Sequence, residues 1–256
     1  MARVLVTGST QGLGLAAARL LLDDGHEVVL HARDESRRAA VGELARRGAR
    51  VVIGDLAGAA ATESVAAQVN AFGRMDAVIH NAGIYLDPRR VATPEGHART
   101  LAVNVLAPYL LTARIERPER LVYLTSDLHQ GGAPSLEDVD WTARPWDAAQ
   151  AYADSKLFVM ALAFALARMW PDVSSNAVGP GWVPTRMGGP NAPDDLEQGH
   201  LTQVWLAVGA EPEATSTGGY WYHRRRLAPT PAALDEDFQR ALVDELARLT
   251  GVRLPR

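Results

Sequence analysis

Short apolar runs alternate with longer amphipathic stretches along nearly the whole chain. The apolar runs predict strands at 3–7, 27–30, 49–53, 76–80, 121–125, 173–178 and 219–223. Between and after them the pattern predicts helices over 14–24, 36–47, 62–72, 96–115, 151–169, 194–208 and 238–249. Apolar strands alternating with helices make βαβ units, whose crossovers are right-handed. The expected fold is therefore α/β: one doubly wound (Rossmann) domain over 1–256, with a seven-stranded, mainly parallel sheet flanked by helices. Such sheets bind ligands beyond the carboxyl ends of their strands. Candidate chemistry is accordingly sought just after each strand.

The first strand runs into Thr7-Gly8-Ser9-Thr10-Gln11-Gly12-Leu13-Gly14. Glycines allow a tight turn and a close approach of backbone to a phosphate. The following helix offers free N–H groups and the positive end of its dipole to a pyrophosphate. The spacing is G-x-x-x-G-x-G rather than G-x-G-x-x-G, and a glycine-rich turn without a ligand stays open at this point. Farther along, Tyr152 and Lys156 lie four apart on a predicted helix and share a face. A nearby ammonium favours phenolate, which would make Tyr152 a proton donor and acceptor near neutral pH. Of the 26 basic residues, 25 are Arg, and Lys156 is the single Lys. Arginine cannot replace a compact ammonium, so this position escaped the bias where its chemistry matters.

Composition removes other classes. The 26 basic residues face 30 acidic ones, and a net charge of -4 does not suit a nucleic-acid backbone. Cysteine is absent, which excludes disulfides, thiolate metal sites and a cysteine nucleophile. The seven His show no paired ligand spacing, so no metal site is expected. No G-x-S-x-G nucleophile turn is present. The longest apolar run, 157–167, is about half of the ~20 residues a membrane span needs. Met1-Ala2-Arg3 leads straight into the first strand without a signal-type apolar region. A cytoplasmic protein contacting neither membrane nor nucleic acid is expected.

Further motifs appear in order. Asn81-Ala82-Gly83 comes after the fourth strand, Asn104 lies in Val103-Asn104-Val105, and Ser126 ends the fifth strand. Pro180-Gly181 comes after the sixth strand, with Val183 and Thr185 just beyond. Together with the glycine-rich turn and Y-x-x-x-K, this order resembles the short-chain dehydrogenase/reductase family over nearly the whole chain. The resemblance implies hydride transfer between a nicotinamide cofactor and an alcohol or carbonyl on a small, apolar substrate. Tyr152 would then be the acid/base, Ser126 would hold the reacting oxygen, and Lys156 would tune Tyr152 and bond the nicotinamide ribose. Asn104 would complete a proton relay through water. The cofactor would lie against Gly8, Ser9, Thr10, Gln11, Gly12, Leu13, Gly14, Asp55, Leu56, Asn81, Ala82 and Gly83, and its nicotinamide end against Tyr152, Lys156, Pro180, Gly181, Val183 and Thr185.

The second strand ends His31-Ala32-Arg33. Small, neutral Ala32 falls where an acidic residue would bond the ribose 2′-hydroxyl of NAD(H). Arg33 can pair with a 2′-phosphate, so NADP(H) is expected over NAD(H). Asp34 would serve NAD(H) if the turn shifted. Arg37 and Arg38 read as a solvated helix face, with help in binding the phosphate as the alternative. Ser126 and Tyr152 are separated by an insertion, 127–149. That insertion, with Pro229-Thr230-Pro231 near the end, resembles a soluble member of the retinol-dehydrogenase-like branch. Leu128, Trp141, Trp146 and Trp182 would line an apolar pocket beside Tyr152, or the tryptophans would simply anchor the insertion, and 186–210 would form a lid or an ordinary surface loop. Family pairing through the Tyr152/Lys156 helix implies a homodimer. The competing function is a non-catalytic NADP(H)-binding redox sensor or regulator on the same fold.

Overall fold

Successive residues of β1 (Arg3–Val6) enter two different cores. Leu5 joins one and Val4 and Val6 the other, because neighbouring strand side chains point to opposite faces. Burial on both faces also explains the nearly continuous apolar character of β2 (Glu27–Ala32) and β4 (Ala77–His80). The computed structural model describes residues 1–255. With β3 (Arg50–Ile53), β5 (Arg120–Leu124), β6 (Ser174–Val178) and β7 (Tyr220–Tyr222), the strands run parallel in the order β3-β2-β1-β4-β5-β6-β7. The order reverses between β1 and β4, and a crevice opens beyond their carboxyl ends.

One face of the sheet packs on α1 (Gly12–Asp23), α3 (Gly42–Arg46) and α8 (Leu196–Val208). The other packs on α4 (Ala59–Asn70), α5 (Arg99–Leu101), α6 (Ala107–Arg114) and α7 (Ala148–Met169). Over α7 lie α9 (Pro231–Leu234) and α10 (Glu236–Thr250). The Tyr109 hydroxyl donates to the Val252 carbonyl at 2.8 Å, and the Trp170 indole N–H to the Pro255 carbonyl at 3.1 Å. The segment after α10 is thus fastened across α6 and α7. As a result α7 is buried without a break from Ala151 to Leu166.

Several elements differ from expectation. The sheet has eight strands, not seven, because β8 (Arg225–Leu227) pairs antiparallel with β7. His223 and Arg224, at φ of 48° and 59°, make the tight reversal between them. β8 is exposed throughout and opens with two Arg, so it lacks the apolar alternation that marks a strand. The single helix expected over 36–47 is two short ones, α2 (Glu35–Ala39) and α3, with Val41 turned into the core between them. The helix expected from 96 starts only at Arg99 and widens into a π turn at Ala102–Leu106. Pro108 sits in the first turn of α6 and has no N–H to give, and a local change of hydrogen-bond register absorbs that loss.

Candidate active site

The glycine-rich turn is held by close contacts that exclude side chains. Gly8 has φ of 64°, and a Cβ there would lie 2.9 Å from the Ala82 Cα. A Cβ on Gly14 would fall 2.4 Å from the Asn81 amide nitrogen and 2.6 Å from the Gly8 carbonyl. The Asn81 amide donates to the Thr7 carbonyl at 2.9 Å, and the Ala82 N–H to the Thr7 hydroxyl at 3.0 Å. The segment after β4 therefore locks the turn after β1 across the switch point. Gln11, at the N-cap of α1, gives the helix no side-chain cap. Its amide oxygen accepts instead from Arg37 at 3.0 Å. The first N–H groups of α1 remain available to an anion in the crevice.

The crevice is a cleft of about 400 Å³. Gly8, Thr10, Gln11, Gly12, Leu13, Gly14, Arg33, Asp55 and Leu56 line it together with Tyr152, Lys156, Pro180 and Thr185, and a Cβ on Gly12 would lie 3.5 Å from the Thr185 methyl. Asn81, Ala82 and Gly83 line it as well. Of the remaining expected residues, Ser9, Asn104 and Val183 are buried, whereas Ser126, beside Tyr152, and Gly181 are half-buried. The Ser9 hydroxyl is buried and accepts from the His31 N–H at 2.9 Å. Val183 is buried against the position of Gly199, and Gly181 turns there with φ of 89°. Asn104 is buried in the π turn. Ser126 caps the short 3-10 turn Asp127–Gly131, its hydroxyl accepting from the Leu128 N–H at 3.3 Å.

Around Tyr152 several side chains are held by separate hydrogen bonds. Asp147 caps α7 through the N–H groups of Ala149 and Gln150, fixing the turn that carries Tyr152. The Lys156 ammonium donates to the Leu124 carbonyl at 2.9 Å and lies 5.5 Å from the Tyr152 ring centroid. The Asn104 amide oxygen accepts from the Ile84 N–H at 2.9 Å. Its nitrogen donates to the Ser155 hydroxyl at 3.0 Å, which in turn donates to the Tyr152 carbonyl at 2.7 Å. A Cβ on Gly83 would be 3.5 Å from both the Asn104 oxygen and the Lys156 nitrogen, so only glycine leaves the space between them open.

The electrostatics correct one expectation. Burial pushes the Tyr152 phenol up to about 12, while the neighbouring Ser126 hydroxyl pulls the other way. Burial also brings Lys156 down to about 8. The expected lowering of Tyr152 is absent, because loss of water around the phenol is the dominant influence on it. Tyr152 is thus a protonated phenol at neutral pH.

Asp34 caps α2 and is occupied. It accepts from the Ser36 hydroxyl at 2.6 Å, the Arg37 N–H at 2.9 Å and Arg33 at 3.2 Å, and these bonds hold its carboxyl at about 2. Arg37 lines the cleft beside Arg33. The sequence pattern gave Arg37 to a solvated face because the break after α2 is not visible in it. His31, Arg99, Arg186 and Met187 also line the cleft without having been singled out.

The tryptophans of the insertion do not line the cleft. Trp141 is buried edge-on against Trp146, with Arg144 3.6 Å over its ring. The Trp146 indole donates to the Asp87 carbonyl at 2.8 Å, and Asp140 accepts from His97 and from the Ala98 N–H. These contacts anchor the insertion to the segment before α5. The rim near Tyr152 is apolar all the same. Tyr85 stands edge-on to Tyr152 at 4.6 Å and is 40% exposed, and exposed Met187 lines the cleft, whereas Leu128 and Trp182, also exposed, do not line it. No group of residues able to hold a metal ion exists among the described residues. Among them, too, no helix is long and apolar enough to cross a membrane.

Comparison with known proteins agrees with this geometry. A family profile described as enoyl-(acyl carrier protein) reductase matches residues 8–216. A short-chain dehydrogenase of Penicillium rubens is 40% identical over 259 aligned positions, covering 100% of both chains. One from Gibberella zeae is 40% identical over 259 positions, covering 100% of this chain and 99% of that one. The crystal structure of an uncharacterized protein from Mycobacterium paratuberculosis superposes with a TM-score of 0.85 at 25% identity, covering 100% of this chain and 96% of that one.

Proposed function

The chain belongs to the short-chain dehydrogenase/reductase family, an oxidoreductase acting on CH–OH or C=O groups with a nicotinamide cofactor, and from that premise we propose that it uses NADP(H) and that Tyr152 is its acid/base. The observation that carries the proposal is the cleft itself. It brings uncapped helix N–H groups and two Arg together with a buried phenol beside a buried ammonium. The nicotinamide supplies the hydride chemistry when bound. Gly8 to Gly14 would hold the pyrophosphate, Asp55 and Leu56 the adenine side, and Lys156, Pro180 and Thr185 the nicotinamide end. Arg33 and Arg37 would grip the 2′-phosphate, a charge the occupied Asp34 would not accept as a partner.

In reduction, the Tyr152 hydroxyl donates its proton to the carbonyl oxygen while the Ser126 hydroxyl bonds the same oxygen. In oxidation the transfers reverse. A phenol held at about 12 is protonated at neutral pH, the form the donor's part requires. Lys156 and Asn104, meeting across Gly83, would resupply the proton. The Asn104/Ser126/Tyr152/Lys156 set favours an enzyme over a redox sensor. Exposed Tyr85 against Tyr152 and Met187 in the cleft support an apolar substrate, with 186–210 contributing Arg186 and Met187 to its cover. The insertion and Pro229-Thr230-Pro231 support the retinol-dehydrogenase-like branch, without a retinoid substrate. A cytoplasmic setting is part of the same reading.

Titration of NADPH and NADH by fluorescence tests the cofactor. In Arg33→Ala, NADPH binding is expected to weaken roughly 10- to 100-fold, the loss of one charge-assisted bond, with NADH unchanged. Equal loss for both cofactors would remove Arg33 from the phosphate. The oligomer is expected to differ from the family's pairing. Because α7 is buried within one chain, no face is left for a homodimer through it. Light scattering after size exclusion should give the 27.5 kDa monomer. A dimer mass would show pairing through another surface.

A further inference from the structure

One imidazole joins the ends of three strands at the cleft. His31, buried near the end of β2, accepts at Nδ1 from the Gly8 N–H at 3.0 Å, just after β1. Its Nε2 bonds the Gly54 carbonyl at 2.8 Å, just after β3. Its own N–H donates to the Ser9 hydroxyl at 2.9 Å, and the Ser9 N–H returns a bond to the His31 carbonyl at 3.3 Å. The ring also lines the cleft. Gly8 has no freedom to compensate, since its other side already meets Ala82.

The partners fix the ring's protonation state. A backbone N–H only donates, so Nδ1 must be bare. A carbonyl only accepts, so Nε2 must carry the proton. The neutral ring in this one tautomer satisfies both, whereas in an imidazolium the Nδ1–H would point at the Gly8 N–H. We propose that His31 is a positioning residue for the phosphate-binding turn, and that its protonation releases the turn and makes cofactor affinity depend on pH. This rests on the NADP(H) assignment proposed for the cleft.

The surroundings bear on where the ring titrates. Burial lowers its pKa, and the Gly54 carbonyl and Asp55 oppose that. Asp55 lies just after β3, and Arg33 and Arg37 share the cleft from the β2 side. The turn from Gly8 to Gly14 carries no titratable side chain. The neutral form is therefore the resting form near pH 7, and the effect belongs to more acid conditions.

The test is NADPH affinity, by fluorescence, from pH 8 down to pH 5 in three full-length proteins. His31→Leu removes both ring bonds and strands the buried Gly8 N–H. His31→Asn keeps an oxygen acceptor where Nδ1 stood but cannot take a proton. At pH 8, His31→Leu should bind NADPH roughly 10-fold or more weakly, with kcat at saturating NADPH little changed, and His31→Asn should stay within about threefold of the unaltered protein. Between pH 8 and pH 5, the unaltered protein should lose more affinity than His31→Asn. Protonation of the cofactor's own 2′-phosphate affects both alike and cancels. Superimposable pH profiles, or unweakened binding by a folded His31→Leu, would overturn the proposal. If His31→Leu does not fold, the comparison with His31→Asn still decides it. Failure of the unaltered protein to bind NADPH would instead overturn the cofactor assignment beneath it.

Discussion

Tyr152→Phe should lower turnover by about 10²- to 10⁴-fold, the contribution of a positioned acid/base, while NADPH affinity stays within a small factor. The reason lies in what the substitution removes. Tyr152 is 6% exposed, packs edge-on to Tyr85 and has the Ser126 hydroxyl as a hydrogen-bonding neighbour. Phenylalanine fills the same space and keeps the aromatic contact. It loses only the proton that the proposed reaction transfers. The Gly8-to-Gly14 turn and the Arg pair line the same cleft and are untouched. Steady-state kinetics and cofactor titration on the same preparation check both halves. Full turnover by Tyr152→Phe would remove Tyr152 from the chemistry, and lost cofactor binding would show that its hydroxyl holds the cofactor as well.

The sequence reading succeeds where one physical requirement dominates a segment. β4 is apolar because both its faces are covered, and the Gly8-to-Gly14 turn is glycine-rich because Ala82, Asn81 and Gly8 itself leave no room for a Cβ. Such requirements are local and leave a pattern. β8 leaves none, since an exposed edge strand of Arg-Arg-Leu meets no burial demand. Arg37 was legible as a charge but not as a cleft residue. Its direction depends on Asp34 capping a helix that stops at Ala39. The tryptophans of the insertion looked like a pocket because apolar rings suit one. They equally suit an anchor, and the partners that decide it, Asp87 and Arg144, lie elsewhere in the chain or across a loop. The protonation of Tyr152 was misjudged for a related reason. Spacing shows the neighbour at i+4, whereas the loss of solvent that dominates is a property of the finished fold.

Lys156 carries the second large effect, and its sign differs between activity and stability. Lys156→Met should reduce turnover by orders of magnitude, as the proposed relay and ribose contact are both lost, yet the cofactor-free protein should be more stable. The ammonium is buried, and it donates to the Leu124 carbonyl. Burial alone moves it from 10.5 to about 8. A shift of that size corresponds to about 3 kcal/mol of cost for keeping the charge inside, less about 1 kcal/mol for the lost hydrogen bond. Methionine fills a similar volume without that cost. The pH dependence comes from proton counts. Below about 8 the lysine is charged in both folded and unfolded chains, and its full cost is present. Between about 8 and 10.5 the unfolded chain binds the proton and the folded chain does not, so stability of the unaltered protein rises with pH. The advantage of Lys156→Met should be about 2 kcal/mol below pH 8, shrink as pH rises, and give way above about 10.5 to a deficit of about 1 kcal/mol from the lost hydrogen bond. Thermal unfolding of both proteins across that range measures it. A variant less stable than the unaltered protein at pH 7 would mean that the ammonium is a structural tie, and that its place beneath Tyr152 is no sacrifice of stability to function.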